Sequence, residues 1–216
     1  MTPDSLRHPR LEIAAAAKAI SSMRAAKSLD EFEVEWRSYL NCIEKAWQKI
    51  EKSCEHVRCT FQPWQGKFHR LRKKDMLLRY LKQARDADNH SIQDVTKLQP
   101  GSRGYNFVNP KGGYIKRMEI RNGEVVHYEG DAMIVEEKPA HPIAVAVQNN
   151  GEWFNPPTSH LDKPVNSHHP VDLAELGWKL YSEFLAGNVT PYLALPELQK
   201  RAATKSESVT VTGKKP

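Results

Sequence analysis

The run Arg85-Asp86-Ala87-Asp88-Asn89-His90 holds the side chains best suited to chemistry in this sequence. Cleaving RNA without a metal requires a base for the 2′-hydroxyl, an acid for the leaving oxygen and a cation beside the developing charge. A histidine serves as both acid and base because its ordinary pKa lies near neutrality. An arginine forks onto phosphate oxygens. Arg85 would thus hold phosphate, His90 would move protons, and Asp86 with Asn89 would orient or polarise the site. On a helix, Asp86 and His90 share one face, and Arg85 and Asn89 share the neighbouring one. Arg85 and His90 are five positions apart, which turns them about 140° from each other. Two copies of the helix facing each other across a two-fold axis would relax that geometry.

Spacing by itself says little, because Arg121, Asn122 and His127 show a similar pattern inside a strand–turn–strand segment. Context sets Arg85 and His90 apart. They sit in a helical segment at residues 75–95, capped by Asp75. Its stripe of Leu77, Leu81, Ala84, Asp88, Ser91 and Val95 turns from apolar to polar where the pair lies. Such a break in a regular pattern marks a site, or else a helix end that reaches solvent. Just upstream, Lys67, Arg70, Arg72, Lys73 and Lys74 interleave with Phe68 and His69. That mixture can grip a nucleic-acid backbone and stack a base, or simply solvate the entry to the next helix.

The elements that must position these residues begin with an Ala-rich helix over 9–27. Ser28 and Glu31 then form a capping box, with Ser28 as N-cap and Glu31 reaching back. Phe32, Trp36, Tyr39, Leu40, Ile43, Trp47, Ile50 and Cys54 recur at three- and four-residue steps, the buried stripe of a long bundle helix. Pro63 and Gly66 predict a break over 60–66.

After Pro100-Gly101 the pattern switches to strands, at 104–108, 113–120, 124–128, 132–137 and 142–148. Asn122-Gly123 is a two-residue hairpin signal, and Asn150-Gly151 leads to a short strand at 152–154. These segments predict a small antiparallel meander at 104–154. A loop rich in Pro, Asn, Ser and His follows at 155–170, where His168 and His169 read as ordinary loop histidines. A last helix at 171–187 presents Leu173, Leu176, Leu180, Tyr181 and Phe184, and packs back on the bundle or the sheet. A short helical turn is expected at 190–199 and a disordered tail at 200–216. The fold class expected is α+β: an N-terminal helical bundle at 9–98 with a small antiparallel sheet inserted before a C-terminal helix.

Among the 216 residues, 39% are hydrophobic and the formal net charge is +6, with a mean hydropathy of −0.65. The positive balance favours acidic partners and is silent on fold. No apolar run is long enough to cross a membrane, and Ala14 to Ala17 is too short for a signal-peptide core, so a cytoplasmic protein is expected. Cys42, Cys54 and Cys59 read as free thiols. Cys54, His56 and Cys59 lack a fourth ligand, so neither a metal nor a cofactor is expected. The chain holds no Gly-rich phosphate loop and no serine-nucleophile setting, which removes most common enzyme classes.

The helical part, residues 9–98 with 171–186 as a fourth bundle member, resembles the HEPN superfamily. That family is marked by an Arg, four to six residues and a His, with Asn, Asp or His often directly after the Arg. Here Arg85 matches the Arg, Asp86 the polar follower and His90 the His. The resemblance implies a metal-independent endoribonuclease site at a homodimer interface, RNA as substrate, and a toxin or defence setting with a cognate antitoxin or partner protein. It does not extend to the strands or the tail. The competing expectation is a non-enzymatic interaction protein that binds nucleic acid or another protein.

Overall fold

The computed structural model describes residues 6–189, so the expected turn at 190–199 and tail at 200–216 lie outside the described residues. The chain is α+β. Its helices are α1 (Arg7–Ala25), α2 (Leu29–Ser53), α3 (Arg58–Lys74) and α4 (Met76–His90), with a 3₁₀ turn at Glu55–Val57 before α3. The strands are β1 (Thr96–Gln99), β2 (Ser102–Phe107), β3 (Ile115–Arg121), β4 (Glu124–Gly130), β5 (Met133–Lys138), β6 (His141–Ala144), β7 (Val147–Asn149), β8 (Glu152–Phe154), β9 (Ser159–His160) and β10 (Lys163–Pro164). Helix α5 (Pro170–Glu183) runs into a π-helical segment at Phe184–Val189. The chain divides into two units, one made of the residues up to Lys97 and from Ala144 onward, the other Leu98–Ile143.

In the first unit α2 is the central element. Ser28 Oγ accepts from Glu31 N at 3.1 Å, and the Glu31 carboxylate reaches back to accept from Lys27 N at 2.8 Å, one residue beyond the usual box partner. The stripe read from the sequence is buried, with Trp36, Tyr39 and Ile50 fully enclosed. Small residues on α1, Ala16 and Ala19, let it lie close against α2. Helix α5 packs on α1, α2 and α4. At Gly177 a Cβ would fall 2.6 Å from Tyr39 Oη and 2.7 Å from Leu81 Cδ1, so only glycine permits this approach of α5. Tyr39 Oη in turn donates to Ala174 O at 2.8 Å. Phe68 of α3 stacks on Phe184 at 4.0 Å and tilts against Trp47 at 4.8 Å.

The break expected at 60–66 is absent: α3 runs through Pro63 and Gly66. Pro63 withdraws one ladder bond, to Cys59, whose residue is exposed and open to water. That loss costs about 3 kcal/mol, while burying Phe61 and Phe68 returns roughly 1.5–3 kcal/mol each, enough to hold the helix together. Helix α4 also stops sooner than expected. Ser91 leaves the helix in an extended conformation, and its hydroxyl donates to Ala87 O at 2.7 Å. Val95 is still buried, but from the bend just before β1.

The second unit is two nested hairpins rather than a meander. β3 pairs with β4, and β2 pairs with β5 around them, both antiparallel. Asn122 (φ 52°) and Gly123 (φ 81°) make the tight β3–β4 turn. No residue from Leu98 to Ile143 is buried. The strand expected at 142–148 is split in two: β6 pairs with β1, and β7 pairs with β8 in the first unit. The expected loop at 155–170 contains a two-residue hairpin, β9–β10, whose turn residues Leu161 and Asp162 both have positive φ.

Candidate functional site

Helix α4 stays regular to its end at His90, so Arg85 and His90 of one chain face different ways, turned about 140° apart. His90 is exposed and makes no hydrogen bond or ion pair among the described residues. Arg85 is half-buried. Its Nη1 donates to Asp86 Oδ1 at 2.9 Å, while its Nε is enclosed without an acceptor among the described residues. Asp86 also receives Lys82 Nζ at 3.1 Å, so its carboxylate lies between two cations. Asp86 does not pair with His90, although the two share a face. Asn89 donates to Asn41 Oδ1 on α2 at 3.1 Å.

The polar interruption of the α4 stripe has a packing cause. Asp88, nearly enclosed, pairs with Arg37 of α2 at 3.0 Å, and Arg37 also pairs with Glu33 at 2.7 Å. Asn41 Nδ2 donates to Arg37 O at 3.0 Å, which links this ion pair to Asn89. The polar centre of α4 is therefore a helix–helix seam, with Arg85 and His90 at its margin.

The basic segment of α3 splits by face. Phe61, Phe68 and Arg72 point inward. Arg72 forms a buried ion pair with Glu44 of α2 and lies 5.2 Å over the Trp47 ring. That is a correction to its expected role: an enclosed guanidinium held by Glu44 is not presented to a nucleic acid. The opposite face carries Lys67, Arg70, Lys73 and Lys74, all exposed, with Lys67 Nζ 5.5 Å above the Trp64 ring. His69 is drawn to Glu51, 2.8 Å away.

Two histidines from the expected loop have defined places. His169 caps α5, its Nδ1 accepting from Val171 N at 3.3 Å, and meets Phe32 edge-on at 5.6 Å. His160, which the sequence did not single out, is buried, with Nδ1 3.0 Å from Asp75 Oδ1. Asp75 also accepts from Leu78 N at 2.9 Å and from Leu161 N at 2.8 Å. Burial pushes its pKa upward, but the bonds from His160, Leu161 and Leu78 outweigh that and hold the carboxyl below its ordinary value. The helix-cap signal at Asp75 was legible; its partner lies 85 residues away in a segment with no regular pattern.

Compared with known proteins, the chain matches no family model, no curated protein and no solved structure.

Proposed function

We propose that this chain binds RNA and cleaves it without a metal ion, as the HEPN resemblance implies, with two copies meeting at their α4 ends. The observation that carries this reading lies at the end of α4: among the described residues, the exposed His90 has no partner and Arg85 Nε has no acceptor. Once the guanidinium turns out of its enclosure, a phosphate oxygen supplies the acceptor that Arg85 Nε lacks. One regular α4 turns the two side chains apart, so the arginine of one copy would act with the histidine of the other. Asp86 holds Arg85 in the resting state, and an incoming phosphate takes its place. The test is wild type against His90→Ala on single-stranded and structured RNA, with chelator present. Wild type should leave cyclic phosphate ends, and the variant should be slower by about 10²–10⁴-fold. RNA left intact by both proteins sinks cleavage.

RNA binding without cleavage is the second reading, favoured by the exposed cationic face of α3 opposite its buried stripe. Replacing Lys67, Arg70, Lys73 or Lys74 by Ala should flatten the dependence of log affinity on log salt, by up to about 0.7 for each phosphate no longer neutralised. Arg72→Ala should instead destabilise the fold by about 3–5 kcal/mol, because it strands a buried Glu44. Filter binding across a salt series, together with urea melts, separates the two kinds of residue.

A further inference from the structure

A second cluster lies away from the α4 end, where the β9–β10 hairpin meets α5. A cavity of about 390 Å³ opens there, lined by His160, Lys163, Lys179 and Glu183, with Leu176 and Leu180 among its apolar walls. That volume is in the range that takes a small molecule. The Asp75 carboxylate is already the acceptor for two backbone N–H groups, so the ring nitrogen facing it, Nδ1, carries the proton. In the neutral ring, Nε2, on the other edge of a residue that is only 8% exposed, is then an acceptor with no hydrogen-bond partner among the described residues. Lys163 sits directly across the hairpin from His160 in register. None of the side chains of Lys163, Lys179 and Glu183 forms an ion pair or hydrogen bond among the described residues.

The backbone is strained to bring these groups together. Leu161 (φ 49°) and Asp162 (φ 62°) both occupy the left-handed region that favours Gly or Asn. Residues held so persist only where the surroundings over-determine them. Here the Leu161 N–H bond to Asp75 Oδ2 supplies part of that restraint.

We propose that this cavity binds a small phosphate monoester with an apolar or aromatic body. The two lysines and the Nε2 edge of His160 hold the phosphate, and the body lies along Leu176 and Leu180. A phosphate monoester has a second pKa of about 6. Near neutrality it is mostly the dianion, whose charge faces the two lysines, while the fraction that keeps its proton offers a hydroxyl to Nε2. A sulfonate carries a single charge and no proton. Glu183 accepts from a hydroxyl or amine on the body and leaves the lining one positive charge in excess.

The experiment follows the His160 ring resonances of the full chain by NMR while phenyl phosphate is added, with calorimetry in parallel. Saturable shifts at His160 are expected, with a Kd of about 1 mM or tighter. The Lys163→Ala/Lys179→Ala variant changes only exposed side chains, so it should fold as wild type and bind about tenfold more weakly or worse. Benzenesulfonate should bind more weakly than phenyl phosphate, and His90→Ala should bind as wild type does. No shift at His160 up to roughly 10 mM, equal binding of the sulfonate, or unchanged affinity in the double-lysine variant would each overturn the site.

Discussion

At the scale of single residues, the side chain of Asp75 ties the start of α4 to the β9–β10 hairpin. Its side chain takes three hydrogen bonds, from Leu78 N, Leu161 N and His160 Nδ1. Its pKa in the folded chain lies below the ordinary value, so the charged carboxylate is bound more tightly folded than unfolded. The stability this contributes is complete above the unfolded pKa, about 3.9, and is lost as pH falls through the folded value. Asp75→Asn should therefore cost about 1–3 kcal/mol at neutral pH. The gap to wild type should narrow below about pH 4, as measured by urea melts across a pH series. A gap that stays constant into acid would show that the charge contributes nothing. Arg72 shows the opposite case. A cation inside a basic run looks solvated, yet this one is enclosed with Glu44 and Trp47.

At the scale of elements, the packing of helices is set by small residues and by polar seams. Gly177→Ala tests the first. Alanine improves helix propensity by about 1 kcal/mol, but its Cβ would strike Tyr39 Oη and Leu81 Cδ1, both buried. The overpacking should win, for a net loss of about 1–2 kcal/mol in urea melts; a net gain would mean that α5 shifts freely. The elements legible in the sequence were those whose signals are local. The α2 stripe, the Ser28 cap, the Asp75 cap and the two Asn-Gly turns each depend on residues a few positions apart. What escaped depends on distant partners. Helix α3 survives Pro63 because Phe61 and Phe68 are buried. The polar centre of α4 is explained by Arg37, on another helix. The turn at Leu161-Asp162 has no Gly or Asn to announce it, and it is tied back to Asp75. For the candidate site, the spacing of Arg85 and His90 was readable. That Asp86 would be occupied by Arg85 and Lys82 rather than by His90 was not.

At the scale of the whole molecule, the buried apolar side chains among the described residues all belong to the first unit. The second has strand pairing but no buried residue, and Ile115, Ile120, Val126, Ile134 and Val135 are exposed on it. Hydrogen bonds open to water yield by local opening at low free energy. In hydrogen-exchange mass spectrometry, amides of β2–β5 should exchange orders of magnitude faster than those of α2 and α4. Equal protection would mean that the ribbon is covered in solution. The first unit has a further property that follows from Asp75. Its N–H bonds Leu71 O at 2.8 Å, closing α3, while its C=O receives Arg79 N at 3.0 Å, opening α4. One residue caps the end of one rod and the start of the next, so the elbow is a single residue long. The side chain of that same residue holds the β9–β10 hairpin, so the direction of the cationic helix, the start of α4 and the place of the hairpin are all set at one position.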